Sequence, residues 1–256
     1  MGTADRFALS GKVALVTGGS RMLGREMVLA FAEAGADVVI ASRKQDACDD
    51  LAAEVTAATG RRALPVACHV GHWSELDALV ERTYAEMGHV DVLVNNAGMS
   101  PLYPSLPEVS EEMFDKVIGV NFKGPFRLTA LVAPRMAAGD GGSIINISSV
   151  AAIRPTPTEL PYAAAKSALD VLTVGFAQAY GPSVRVNTIM AGPFLTDISK
   201  AWDLDAFNEM ATRYPLGRGG SPHEIVGAAL FLASEASSFT TGTVVRVDGG
   251  QAVAER

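Results

Sequence analysis

Tyr162 and Lys166 stand four residues apart in a stretch, 162–180, whose alanines and apolar spacing read as a helix. At that spacing the two side chains lie one above the other on a single helix face. A tyrosine phenol ionises near pH ~10 and is a poor base at neutral pH. A neighbouring ammonium favours the phenolate and is expected to lower that value. A hydroxyl at Ser149 suits a hydrogen bond to a substrate oxygen as charge develops on it. Together these groups point to proton transfer to or from a substrate oxygen.

A cofactor site is indicated by Thr17-Gly18-Gly19-Ser20-Arg21-Met22-Leu23-Gly24, which follows an apolar run and opens a helix. Glycines there let the backbone approach a pyrophosphate, and the helix N-terminus adds N–H groups and a positive dipole end. The 2′-hydroxyl of NAD is usually held by an acidic residue about 20 positions further on. Here that region reads Ala41-Ser42-Arg43-Lys44, with no acid before Asp46. A guanidinium pairs well with a 2′-phosphate, and Arg21 offers a second cation. NADP(H) is therefore expected over NAD(H).

These residues need elements to position them. Apolar runs at 12–17, 37–41, 62–68, 90–94, 143–147, 184–190 and 243–247 read as strands. Helical stretches at 23–34, 47–58, 75–87, 111–136, 162–180 and 222–233 alternate with them. Gly35, Gly60 and Gly88 stand where C-cap glycines belong. Pro125 and Pro134 are expected to bend the long stretch at 111–136. Ser221 and Pro222 form an N-cap and first-position pair. Strands that are apolar throughout, alternating with helices, predict an α/β fold with a doubly wound, seven-stranded parallel sheet covered by helices on both faces. No linker or repeat interrupts the pattern, so residues 1–256 are expected to form one domain. In such sheets ligands bind at the carboxyl ends of the strands.

Composition narrows the class. The chain has 256 residues, 48% hydrophobic and 19% charged, with a net charge of -7. That apolar content excludes global disorder. The acidity, without a basic block, argues against nucleic acid or an anionic membrane as partner. No stretch approaches the ~20 apolar residues of a membrane span. Arg6, Lys12 and Arg21 interrupt any signal-peptide pattern, and the run at 13–16 is too short for a signal core. The two cysteines, Cys48 and Cys68, do not make a disulfide framework. A cytoplasmic protein is expected. Cys68, His69 and His72 are of zinc-ligand types. Adjacent residues of a strand point to opposite faces, however, so no metal site is expected.

The chain resembles the short-chain dehydrogenase/reductase family from about Leu9 to Gly250. The motifs that carry the resemblance occur in order: Thr17-Gly18 through Gly24, Asn95-Asn96-Ala97-Gly98, Asn121, Ser149, Tyr162-x-x-x-Lys166, Gly192 and Val247-Asp248-Gly249-Gly250. In this family a serine lies thirteen residues before the tyrosine, which selects Ser149 over Ser148. The resemblance implies that Tyr162 is the general acid/base and that Lys166 holds the nicotinamide ribose and tunes Tyr162. It implies that Ser149 orients the substrate and that Asn121 completes a proton relay through water and Lys166. It carries cofactor contacts to Gly18, Ser20, Arg21, Met22 and Leu23 in the glycine turn, and to Ser42, Arg43 and Lys44 after the second strand. Further contacts fall to His69 and Val70, to Asn96, Ala97 and Gly98, and to Gly192, Phe194 and Thr196, besides Tyr162 and Lys166 themselves. A homotetramer is implied as well.

Three positions depart from the family pattern. Met22 replaces a glycine of the cofactor turn, His69 stands where an aspartate is frequent, and Ala191-Gly192 replaces Pro-Gly, with Pro193 following. The substrate pocket is expected in loops 99–107, 150–161 and 194–214. These contain Met99, Tyr103, Ile153, Leu160, Phe194 and Leu195, with Trp202, Phe207, Met210 and Tyr214 in a small helical lid at about 194–214. Arg154 and Glu159 face either substrate or solvent. The expected substrate is a small ketone or secondary alcohol. A 3-oxoacyl thioester, on a carrier protein or coenzyme A, is the alternative, and a dinucleotide-binding sensor or scaffold is the non-enzymatic one. Retention of Asn121, Ser149, Tyr162 and Lys166 argues for the enzyme.

Overall fold

The computed structural model describes residue 2, residues 4–195 and residues 204–254. The described strands are β1 (Val13–Thr17), β2 (Asp37–Ser42), β3 (Ala63–Ala67), β4 (Val92–Asn95), β5 (Gly142–Ser149), β6 (Val184–Ala191) and β7 (Val244–Val247). They pair in parallel in the order β3-β2-β1-β4-β5-β6-β7. Around them lie α1 (Met22–Glu33), α2 (Gln45–Thr59), α3 (Trp73–Met87), α4 (Glu111–Ile118), α5 (Gly124–Ala138), α6 (Leu160–Tyr180), α7 (Leu204–Ala211) and α8 (Val226–Ala233). This is the doubly wound, Rossmann-like sheet that the pattern of strands and helices predicts.

The continuous apolar runs have a direct cause. Successive strand residues point to opposite faces, and both faces are covered. Ala14 and Val16 of β1, with Val38 and Ile40 of β2, pack on Met27 and Phe31 of α1, Leu51 of α2 and Leu232 of α8. Val13 and Leu15, with Val39 and Ala41, pack instead on Leu76 and Leu79 of α3 and Leu128 and Val132 of α5. All five residues of β1 are buried as a result.

A buried polar seam crosses the sheet beneath α5 and α6. Asn95 Nδ2 donates to Thr129 Oγ1 at 3.1 Å and to Asn146 Oδ1 at 2.8 Å. Asn146 Nδ2 donates to Thr173 Oγ1 at 2.8 Å, and the Thr173 and Thr188 hydroxyls lie 2.7 Å apart. The seam thus ties β4, β5 and β6 to the two helices above them.

The stretch at 111–136 breaks differently from the expectation. The irregularity is a π turn at Gly119–Lys123, between α4 and α5, while Pro134 lies inside α5. Asn121 is fully buried in that turn, and its Nδ2 donates to Val117 O at 2.9 Å. A side chain therefore takes the carbonyl that an α-helix would give to the Asn121 N–H. Pro125 lacks the N–H that would bond the Asn121 carbonyl in turn. The asparagine and the proline act together, and the proline alone does not set the bend. At the other end of the chain, Ser221 and Glu224 form a capping box, with Ser221 N donating to Glu224 Oε2 at 2.7 Å. One turn of 3₁₀ helix, Pro222–Ile225, precedes α8.

Asn146 gives the sharpest test of the seam. Asn146→Ala removes one partner each from Asn95 and Thr173 in a dry setting. We expect a loss of about 2 kcal/mol in the free energy of unfolding, read from urea denaturation curves.

Candidate active site

The sheet order reverses between β1 and β4, and their carboxyl ends open a crevice. Thr17 at the end of β1 stitches its two sides. Its Oγ1 donates to Val94 O at 3.1 Å and accepts from the N–H groups of Asn96 and Ala97 at 3.0 and 3.2 Å. Asn96 Nδ2 returns hydrogen bonds to Thr17 O at 2.8 Å and Gly18 O at 3.2 Å. The space left for side chains is nil. A Cβ at Gly24 would lie 2.1 Å from Gly18 O, and one at Gly18 2.9 Å from Asn96 Nδ2. Gly18 also holds φ +62°, a conformation that favours glycine.

Met22, in the position that departs from the family, adopts φ 57°. A left-handed conformation costs a non-glycine residue about 1–2 kcal/mol. The turn therefore keeps a glycine-like backbone, and the methionine conforms to it.

On the far side of the crevice, Gly98, Asn121 and Lys166 converge. A Cβ on Gly98 would stand 3.1 Å from Asn121 Oδ1 and 3.5 Å from Lys166 Nζ. Asn121 Oδ1 accepts from Met99 N at 3.2 Å, and its Nδ2 donates to Met99 O at 2.8 Å. The buried asparagine thus clamps the loop after β4 to the π turn.

Ser149 ends β5, and Tyr162 and Lys166 rise from the first turns of α6. Ser149 Oγ accepts from Ala151 N at 3.2 Å, which fixes the turn into the loop. Lys166 is buried, its Nζ donating to Ile147 O at 2.8 Å and standing 5.6 Å from the Tyr162 ring centroid. Ser148 plays a different part: its Oγ donates to Lys166 O at 3.3 Å inside the core. The expected lowering of the Tyr162 phenol is not what the structure gives. Burial pushes it up to about 12, against a smaller downward pull from the Ser149 hydroxyl, with the Glu159 carboxylate adding to the rise. Burial also pushes the Lys166 ammonium down to about 8. Desolvation opposes both charged forms.

The other expected site residues fall as follows. Ser20, Arg21 and Leu23 lie in the glycine turn and the start of α1, and Leu23 also packs on the core. Ser42 closes β2, while Arg43 and Lys44 stand exposed beyond it. Neither these two nor Arg21 enters an ion pair among the described residues, whereas nearby Arg25 pairs with Glu54 at 2.5 Å. His69 stacks on His72 with ring centroids 4.2 Å apart, and its Nδ1 accepts from Gly71 N at 3.1 Å. Desolvation, then the nearby His72 and Arg43, disfavour protonation of that ring. Val70 is a core side chain. Gly192 packs against Asp248, where a Cβ would meet its Cα at 2.5 Å. The Phe194 ring is in the core, against Gly220. Thr196 and Trp202 lie outside the described residues. Cys68 is buried, and desolvation and then Glu75 push its thiol up to about 12.

Two positioning residues escape a reading of the sequence. Thr17 looks like an ordinary end of an apolar strand, although a threonine directly before the glycine turn is the signal for its stitch. Arg154, left open between substrate and solvent, holds the carboxyl tail: its Nη1 donates to Gln251 O and Ala254 O, each at 2.7 Å.

Comparison with known proteins identifies the group to which this geometry belongs. A family model described as enoyl-(acyl carrier protein) reductase matches residues 18–252. The 3-oxoacyl-[acyl-carrier-protein] reductase FabG of Thermotoga maritima is 37% identical over 243 residues, covering 94% of this chain and 98% of that one. The chain belongs to the short-chain dehydrogenase/reductase family. It is accordingly an NAD(P)-dependent oxidoreductase acting on alcohol or carbonyl groups. A gluconate 5-dehydrogenase from Burkholderia cenocepacia, solved with NADP and tartrate, superposes with a TM-score of 0.94 at 35% identity, covering 99% of this chain and 100% of that one. A 7α-hydroxysteroid dehydrogenase solved with NADH and 7-oxo glycochenodeoxycholic acid gives a TM-score of 0.93 at 34% identity, covering 98% of each. The dehydrogenase/reductase crevice of this chain fits a dinucleotide on its own geometry. Gly18 and Gly24 let the turn fold tightly against Asn96 and itself, and the α1 N-terminus opens onto that turn.

Proposed function

We propose that the protein transfers a hydride between NADP(H) and a small ketone or secondary alcohol, with Tyr162 as general acid/base. The observation that carries this reading is the grouping of Ser149, Tyr162 and Lys166 beside Gly98 and Asn121 at the crevice. When bound, the nicotinamide supplies or accepts the hydride. In reduction Tyr162 gives its proton to the carbonyl oxygen, and in oxidation it takes one from the hydroxyl. A phenol raised by burial is protonated at neutral pH, which suits the donor role. Ser149 orients the reacting oxygen by a hydrogen bond. Lys166 is assigned to the nicotinamide ribose, and Asn121 to a proton relay with Lys166 and water.

The preference for NADP(H) rests on Arg21, Arg43 and Lys44, exposed and clear of ion pairs at the adenosine end of the crevice. Gly18, Ser20, Met22 and Leu23 are assigned to the pyrophosphate side. Ser42, His69 and Val70 are assigned to the adenosine, and Asn96, Ala97, Gly98, Gly192, Phe194 and Thr196 to the nicotinamide half. Residues 1–256 act in this reading as one domain, with 194–214 as a substrate lid. Within that segment Phe207 and Tyr214 pack together with Ala211. Two free, buried thiols fit a reducing, cytoplasmic setting.

A second reading, reduction of a 3-oxoacyl thioester, is favoured by the Thermotoga maritima relative and by the description of the matching family model. Against a carrier-protein partner, Arg135 is already engaged by Glu81 and lies over the Tyr84 ring at 4.7 Å.

A panel of ketones, alcohols and 3-oxoacyl thioesters, followed by NADPH absorbance, tests the reading. Free ketones should turn over, and Tyr162→Phe should lose at least about a thousand-fold in kcat while still binding NADPH; near-normal turnover would refute the assignment. Arg43→Ala should weaken NADPH binding about ten- to a hundred-fold and leave NADH binding little changed. Equal losses for both cofactors would count against a 2′-phosphate contact. Exposed Phe126, Val171 and Val174 on α5 and α6 support a homotetramer. Light scattering should report about four times the 26.7 kDa chain, and a monomer would exclude it.

A further inference from the structure

One turn beyond Lys166 on α6 lies a carboxyl group without a part in the reading above. Asp170 follows Lys166 by four residues, as Lys166 follows Tyr162. Residues at that spacing share a helix face. Here the face is turned onto the sheet, where Lys166, Leu169 and Thr173 are buried. Asp170 Oδ1 is itself shut off from solvent and accepts no hydrogen bond. The hydroxyls of Ser148 on β5 and Thr188 on β6 stand beside the carboxyl and favour its charged form. Lys166 Nζ is equally enclosed, bonded to Ile147 O.

The neighbours of the ammonium are few. β5 offers Ile147 O, and the π turn offers Asn121 beside Gly98. None of these is charged. Tyr162 stands above on the same helix, and Glu159 acts on Tyr162. Asp170 is the one carboxylate among the described residues that acts on Lys166.

We propose that Asp170 is a positioning residue whose carboxylate keeps the Lys166 ammonium charged at the floor of the crevice. Burial drives the two groups in opposite directions, Lys166 down to about 8 and Asp170 up. Their attraction opposes both shifts. Without the carboxylate, Lys166 gives up its proton closer to neutral pH and Tyr162 loses its cationic neighbour. The proposal takes from the function above only the role of Lys166 in turnover; the charge pair itself does not depend on the substrate.

Asp170→Asn keeps the size of the side chain and removes its charge. Lysine labelled with ¹³C at Cε, observed by NMR in the full chain without cofactor, reads the Lys166 titration directly. The midpoint should fall by about one pH unit in the variant, and Asp170→Glu should restore it in part. The loss in kcat/KM should grow with pH and reach about ten-fold at the alkaline end. An unchanged Lys166 midpoint overturns the proposal, and so does a loss of activity equal at every pH. Should Asp170→Asn not fold, the parent protein decides. A second inflection of the Lys166 resonance, as the Asp170 carboxyl titrates, supports the pair, and a single-step curve overturns it. A panel without any turnover would sink the proposed function and leave the NMR titration standing.

Discussion

Strands β1 and β4 lie side by side, yet the sheet grows from them in opposite directions, toward β2 and β3 on one side and β5 to β7 on the other. Covering helices cannot close over that junction, so it stays open at the carboxyl ends. The Thr17 hydroxyl and the Asn96 amide hold its two rims at a fixed separation through main-chain groups. Every other part of the site is referred to that spacing. The glycine turn leaves from one rim, and the loop that meets Asn121 and Lys166 leaves from the other. A looser junction would move the glycine turn relative to Ser149, Tyr162 and Lys166, and both would remain locally intact.

Burial is the second theme of the site. Lys166 is buried beneath α6 and Tyr162 is half-buried one turn before it, and both lose hydration in taking those positions. In a dry setting, an uncharged partner such as Ile147 O orients an ammonium without strongly favouring its charge. Tuning then falls to whichever formal charges are near. This is why Lys166 and the residues behind it must be considered as one electrostatic unit.

Much of this arrangement was legible in the residues themselves. Apolar runs such as 37–41 report two-sided burial, Gly60 reports a left-handed helix end at φ 69°, and Ser221 with Glu224 reports a capping box. Each depends on neighbours within a few positions. Pro125 marks the break in 111–136, but the part of Asn121 depends on a contest between its amide and the helix backbone, which spacing does not reveal. The phenol of Tyr162 shifted against expectation because its desolvation comes from elements far along the chain. The same holds for Phe194, whose ring is claimed by the core before any ligand can use it.

Arg154 joins the loop that follows Ser149 to carbonyls 97 and 100 residues further on. A guanidinium bonded to two carbonyls is worth about 1.5–3 kcal/mol per bond when its partners are shielded, set against a closure entropy that grows only slowly with loop length. The chain's last described turn therefore acts as a buttress for the loop leading into α6. Loosening of the turn at 251–254 has in this fold a route into the loop before Tyr162.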